Sequence, residues 1–201
     1  QESADIGGGI EVPIAITGPK SHGWWALNTL MVVIGMIGFM AVFAYLYLYG
    51  INPEIWSAPP PLGETAVIVG LEAAALLAAW GGRRFLATKE GRLAEDLPWM
   101  LEALAAALLV GAIYLDVTGW LTTGLDPTAN GMGATVFMLS VLQGQVVVVA
   151  VIMAAYLAFR EARGIMTTPT NVTMDIVARF IMFCALQGMI FTLLPRVFPG
   201  V

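Results

Sequence analysis

The stretch "WWALNTLMVVIGMIGFMAVFAYLYLYG", Trp24 to Gly50, contains no charged residue. An α-helix rising 1.5 Å per residue crosses the roughly 30 Å of bilayer hydrocarbon in about 20 residues, so this segment alone is long enough to span a membrane. Four further mostly apolar runs follow at about 64–83, 98–119, 131–159 and 173–195, each near or above that length. The 201-residue chain is 59% hydrophobic and 11% charged, with a mean hydropathy of +0.83, values outside those of ordinary globular domains. The expected fold is an all-α membrane protein: a bundle of five transmembrane helices over residues 23–198, preceded by a flexible tail over residues 1–22. No second domain, low-complexity segment or internal repeat stands out.

Lys and Arg are retained on the cytoplasmic side of short loops. With five spans, the N-terminal tail and the second and fourth loops share a side. That side carries Lys20, Arg83, Arg84, Lys89, Arg92, Arg160 and Arg163, with Arg179 just inside the last span, against Arg196 alone opposite. The bias predicts an N-terminus in the cytoplasm and a C-terminus outside. The opening residues lack a basic start and an apolar core, so they are not expected to act as a signal peptide. The first residue is not Met, which leaves room for a trimmed chain or a piece of a longer fusion.

One histidine, His22, and one cysteine, Cys184, bound the redox chemistry available to the chain. A bis-histidine haem, a three-histidine copper site or a thiolate cluster needs more ligands than these. The expectation is therefore no catalytic residue, no metal ligand and no cofactor held by this chain. His22 sits in "PKSHGWW", read as an aromatic belt where the first helix meets the interface. Cys184 reads as a small buried apolar residue.

Helices in lipid associate through small residues and interhelical hydrogen bonds. In the second span Ala66, Gly70, Ala74, Ala78 and Gly82 recur every four positions, and Gly70, Ala74 and Ala78 are the predicted packing ridge; Ala103, Ala107 and Gly111 repeat the pattern in the third span. On this reading Glu72 lies on the opposite face, with Thr65, Ile68, Leu76 and Ala79. An ionised carboxylate facing lipid would cost several kcal/mol. Glu72 is also about 16 Å along the helix from Arg83, too far for a salt bridge. It therefore needs a proton, hydrogen bonds from another helix, or a polar group of a partner subunit or lipid.

Glu102, one turn inside the third span, is expected to sit favourably near a helix N-terminus. Asp175 and Arg179 are spaced i,i+4 and are expected to pair. Gln143 and Gln145 point about 200° apart and cannot share a partner, so at least one is expected to bond across helices. Glu72, Glu102, Gln143 and Gln145 are the polar candidates for lipid or partner contact. Asp116 and Asp126 read as residues at or beyond the outer interface with no special role. The prolines of "SAPPPLGE" predict a stiff, extended connection between the first two spans.

Two segments carry a resemblance. "FAYLYLYGINPEIWSAPPP" is similar to the aromatic helix end and Trp/Pro-rich outer loop of subunit III of the haem–copper terminal oxidases. "LDPTANGMGATVFMLSVLQGQVV" resembles the same family's Gly-small-x-aromatic helix start and His-Gly-x-His motif. Aligned on Gly144, Gln143 and Val146 stand where the family has its two histidines and Met132 where it has a tyrosine. The acid common in the first shared helix of seven-helix members has no counterpart, and Glu72 matches no family position.

The resemblance spans about Gly23 to Pro195 and points to the five-helix branch, found both as separate subunits and as C-terminal parts of subunit I fusions. It implies a non-catalytic structural subunit of a bacterial respiratory oxidase in the plasma membrane. Such a subunit packs on subunit I in a complex that also holds subunit II, and it binds phospholipid. It supports proton-coupled oxygen reduction in aerobic electron transport, with haem and copper carried by subunit I and copper also by subunit II in some members. No nucleic acid is implied. Two other readings compete: a small proton-coupled transporter or channel with Glu72 and Glu102 as a relay, and a solitary subunit III-like protein of another respiratory or denitrifying enzyme.

Overall fold

The structure, a computed structural model, describes residues 3–5, 11–13, 22–56, 58–86, 93–163 and 172–198. Ahead of the bundle, β1 (Ser3–Asp5) and β2 (Glu11–Pro13) form a two-stranded antiparallel ladder that pairs Ala4 with Val12. It lies within the 1–22 tail, whose remaining residues up to Ser21 lie outside those described.

Five helices follow: α1 (His22–Ile51), α2 (Leu62–Leu86), α3 (Leu93–Thr122), α4 (Gly131–Ala162) and α5 (Val172–Val197). All five are long and apolar enough to cross a membrane, which makes the chain a multi-pass membrane protein. The helices begin and end a few residues beyond the apolar runs because flanking charged turns, such as Glu64 at the start of α2 and Arg83 and Arg84 at its end, stay helical outside the hydrocarbon. Acid near the first turn and base near the last also suit the helix dipole.

The α1–α2 connection contains a short 3₁₀ turn, Pro53–Ile55, with proline at its start. Trp56 then turns back into the bundle, and its Nε1 donates to Tyr45 Oη at 2.8 Å. That hydroxyl donates in turn to the carbonyl of Phe198 at 3.0 Å, so one chain of bonds ties the end of α1, the loop and the end of α5. Before α4, Asp126 accepts from the backbone N–H and hydroxyl of Thr128 at 2.8 and 2.7 Å. These bonds hold its exposed carboxyl below the usual carboxylate range. Asn130 then caps α4 by accepting from Gly133 N at 2.8 Å. A Cβ at Gly133 would collide with the Asp126 carbonyl, which accounts for glycine there.

α5 is the most buried helix and α1 the least. α2 packs along α3 and α5, α3 also meets α4, and α1 leans on α4 and α5. Two apolar clusters result. One contains Leu27, Ala75, Ala79, Leu109, Val147 and Phe180. The other, nearer the Trp56 end, contains Tyr45, Trp56, Trp120, Met132, Leu139 and Phe191.

The expected ridge on α2 is corrected by these contacts. Ala66 and Gly70 are exposed, Ala74 and Ala78 are half-buried, and Gly82 is buried. Nothing lies within 4 Å of the position a Gly70 Cβ would take. The stripe that faces the bundle is Thr65, Ile68, Glu72, Ala75, Ala79 and Gly82. Spacing of four advances 400°, a drift of about 40° per step, so Ala66 and Gly82 stand about 160° apart and share no face. Alternating steps of three and four hold one face. In α3 the same alternation places Glu102, Ala105, Leu109, Ala112 and Asp116 inward, while Ala107 is exposed. Glu72 thus lies on the packed face rather than away from it.

Candidate functional site

Where the two apolar clusters meet, polar side chains from α2, α3, α4 and α5 converge. Glu72 is 3% exposed, and its Oε1 accepts from Thr192 Oγ1 at 3.2 Å. Of the three ways to neutralise this acid, hydrogen bonding from another helix is therefore present for one oxygen. Its Oε2 has no hydrogen-bond partner among the described residues. On α4, Gln143 Nε2 donates to the Cys184 carbonyl at 2.9 Å, and Gln143 Oε1 accepts from Gln187 Nε2 at 3.3 Å. Cys184 is buried and free, with its thiol directed at the Val146 carbonyl at 3.8 Å.

Gly188 lets these groups meet. A Cβ there would collide with Glu72 Oε1 and come within 2.8 Å of Gln143 Nε2. The absence of a side chain on α5 therefore opens the notch that Glu72 and Gln143 fill.

Toward the Trp56 end, Asp116 and Arg196 form a buried ion pair, with Arg196 Nη1 2.9 Å from Asp116 Oδ1. This corrects the reading of Asp116 as an interfacial residue without a role: it is 7% exposed, as is Arg196. The same Nη1 donates to the Thr192 carbonyl at 2.8 Å, and Asp116 Oδ1 takes part in the ion pair without accepting a hydrogen bond. The Arg196 guanidinium also lies over the Trp120 ring, 5.3 Å from its centroid, a favourable cation–π placement. Ser140 Oγ donates to Asp116 Oδ2 at 3.2 Å. A cavity of about 10 Å³ lies among Glu72, Asp116, Trp120, Ser140, Gln143 and Thr192.

The remaining candidates are dispersed. Glu102 is fully buried, and neither of its oxygens has a hydrogen-bond partner among the described residues. It does not line the cavity beside Glu72. Gln145 is exposed on the far side of α4 from Gln143, as the 200° spacing requires. It borders an apolar groove of about 210 Å³ between α1, α4 and α5, lined by Ile34, Ile37, Gly38, Val149 and Gln187. A second groove of about 290 Å³ lies between α1 and α5, beside Gly35, Phe39, Val42, Phe183 and Ile190. At the opposite end of the bundle, Asp175 pairs with Arg179 at 2.7 Å as the spacing predicts, and also with Arg83 of α2 at 2.6 Å. The side chain of His22 lies outside the described residues.

Sequence reasoning missed Gly188, Thr192, Ser140, Gln187 and the Asp116–Arg196 pair. The signal was Thr192 and Arg196, spaced i,i+4 in the last span, with a third polar residue, Gln187, earlier on the same helix. Chemically the cluster offers hydrogen bonds, one ion pair and two carboxylates, Glu72 and Asp116, that line a small cavity. Among the described residues no three His, Cys, Asp or Glu side chains are grouped as metal ligands. Compared with protein-family models and with curated proteins, the chain matches none.

Proposed function

We propose that the chain is a non-catalytic, subunit III-like component of a bacterial respiratory haem–copper oxidase in the plasma membrane, with its N-terminus in the cytoplasm. It packs on subunit I beside subunit II and binds phospholipid. It supports proton-coupled oxygen reduction whose haem and copper reside in those partners.

The observation that carries the scaffold reading is the use made of the intramembrane polar groups. Thr192 bonds Glu72, Gln143 bonds the α5 backbone and Gln187, and Arg196 pairs with Asp116. These contacts join α2 to α5, α4 to α5 and α3 to α5, which suits a rigid plate more than a conduit. The grooves beside α1, at about 210 and 290 Å³ and lined almost wholly by apolar side chains, suit acyl chains. The resemblance of residues 43–61 and 125–147 to subunit III supplies the oxidase context.

Purification of the tagged chain from its native membranes in a mild detergent tests the reading. A haem spectrum and two larger subunits travelling with the chain are expected. A colourless, homogeneous protein that moves ions in liposomes would contradict it and favour the transporter reading.

A further inference from the structure

In the polar cluster two carboxylate oxygens accept no hydrogen bond from the described residues: Asp116 Oδ1, which faces Arg196, and Glu72 Oε2, which faces no cation in an ion pair. Glu72 Oε2 is buried and without a hydrogen-bond partner among the described residues, and Glu72 lines the 10 Å³ cavity together with Asp116, Ser140, Gln143 and Thr192. That volume is about what one water requires, and a buried water needs two to four polar partners. Five polar side chains reach this one, beside apolar walls that include Ile113, Val136 and Leu139. An empty void of this size would instead be expected to have wholly apolar walls.

Charge adds a second requirement. The charged groups around the cavity are Glu72 from α2, Asp116 from α3 and, through its pair with Asp116, Arg196 from α5. α4 contributes only the neutral Ser140 and Gln143. Two carboxylates and one guanidinium leave one negative charge in excess. At membrane depth an uncompensated charge costs several kcal/mol, and one proton brings the set to neutrality.

We propose that the cavity binds a single water molecule between Glu72 Oε2 and the Asp116 carboxylate, and that Glu72 is an exchangeable neutral acid connected through this water to the Asp116–Arg196 pair. In that arrangement the Glu72 O–H donates to the water and the water donates to Asp116. A proton passing along the two bonds leaves Glu72 ionised, the water unchanged and Asp116 neutral, so charge and atoms balance. Arg196 and the hydroxyl donated by Ser140 favour the ionised form of Asp116, so the proton rests on Glu72 and reaches Asp116 only in passing. The inference stands apart from the oxidase reading, since it concerns a site internal to this chain.

Infrared spectroscopy of the full chain in lipid nanodiscs, moved from H₂O to D₂O, tests it. A protonated-carboxyl C=O band is expected that disappears in Glu72→Gln and changes frequency in Glu72→Asp. In the wild type this band shifts promptly in D₂O. Val136→Ile and Ser140→Thr each add a methyl group to a wall of the cavity and keep its hydrogen-bonding groups. In both, the band persists and its prompt shift is lost, whereas Val136→Ala, which leaves the space open, exchanges as the wild type does. Persistence of the band in the filled variants itself reports an intact cluster. The absence of any band assignable to Glu72 by either substitution would overturn the proposal, because the acid would then be ionised. So would prompt exchange in both filled variants, because the proton would then travel without the water.

Discussion

Gly188→Ala is the substitution on which the packing account is most exposed. The new Cβ would collide with Glu72 Oε1 and lie 2.8 Å from Gln143 Nε2 and 3.1 Å from Glu72 Cδ. None of these atoms is free to swing away. Glu72 is held by Thr192 and Gln143 by the Cys184 carbonyl. Overpacking a filled interior costs about 1–3 kcal/mol, and disturbing two interhelical hydrogen bonds adds about 0.6 kcal/mol each in a membrane bundle. Replacing glycine by alanine inside a helix returns about 0.5–1 kcal/mol. The net loss is therefore about 1–4 kcal/mol. Gly70→Ala supplies the reference, because its Cβ meets nothing within 4 Å and only the helix gain of about 0.5–1 kcal/mol applies. Equilibrium unfolding in mixed micelles of a mild and a denaturing detergent should separate the two variants by about 2–4 kcal/mol when these terms are combined. Equal stabilities, or a more stable Gly188→Ala, would refute the convergence of Glu72 and Gln143 on Gly188.

The Asp116–Arg196 pair should respond as a buried pair does. Asp116→Leu or Arg196→Leu alone is expected to cost about 3–5 kcal/mol, with the double substitution closer to wild type; a thermodynamic cycle showing additive losses would contradict the pairing. Trp56→Phe removes the donor to Tyr45 and should cost about 0.5–1.5 kcal/mol. Tyr45→Phe loses that bond and the one to the Phe198 carbonyl and should cost more, while the double substitution should lose less than the two single losses summed; full additivity would mean the two do not bond. Glu72→Gln retains an acceptor for Thr192 and should fold within about 1 kcal/mol of wild type, whereas Glu72→Leu should lose about 1–3 kcal/mol by leaving Thr192 and its surroundings unpaired. Identical unfolding curves for the two would show that the Thr192 bond contributes nothing.

The number and limits of the spans were legible because bilayer thickness sets a length that the apolar runs from 24–50 onward visibly meet. The faces were not. In water an exposed apolar side chain marks a solvent face as unusual, but lipid removes that contrast, and exposed Phe39, Met40 and Phe43 on α1 carry no penalty. The small-residue series from Ala66 to Gly82 looked continuous in the sequence yet drifts around α2. Charged residues proved more informative than small ones, since Glu72, Glu102 and Asp116 all turn inward. Local spacing revealed the Asp175–Arg179 bond within α5. It could not reveal Arg83, 92 positions from Asp175, or Arg196 as the partner of Asp116, because those pairs exist only once separate helices pack. Gly188 carried no signal of its own, as its role is the space it leaves for side chains of α2 and α4.

The most direct measurement for the scaffold account is oxygen consumption by the oxidase complex prepared with and without this chain, followed through many turnovers alongside its haem spectrum. The account predicts that removing the chain leaves the haem spectrum and initial rate in place while turnover decays early. Loss of haem signal together with the chain would place redox centres in it and contradict the account, as would sustained turnover unaffected by its removal.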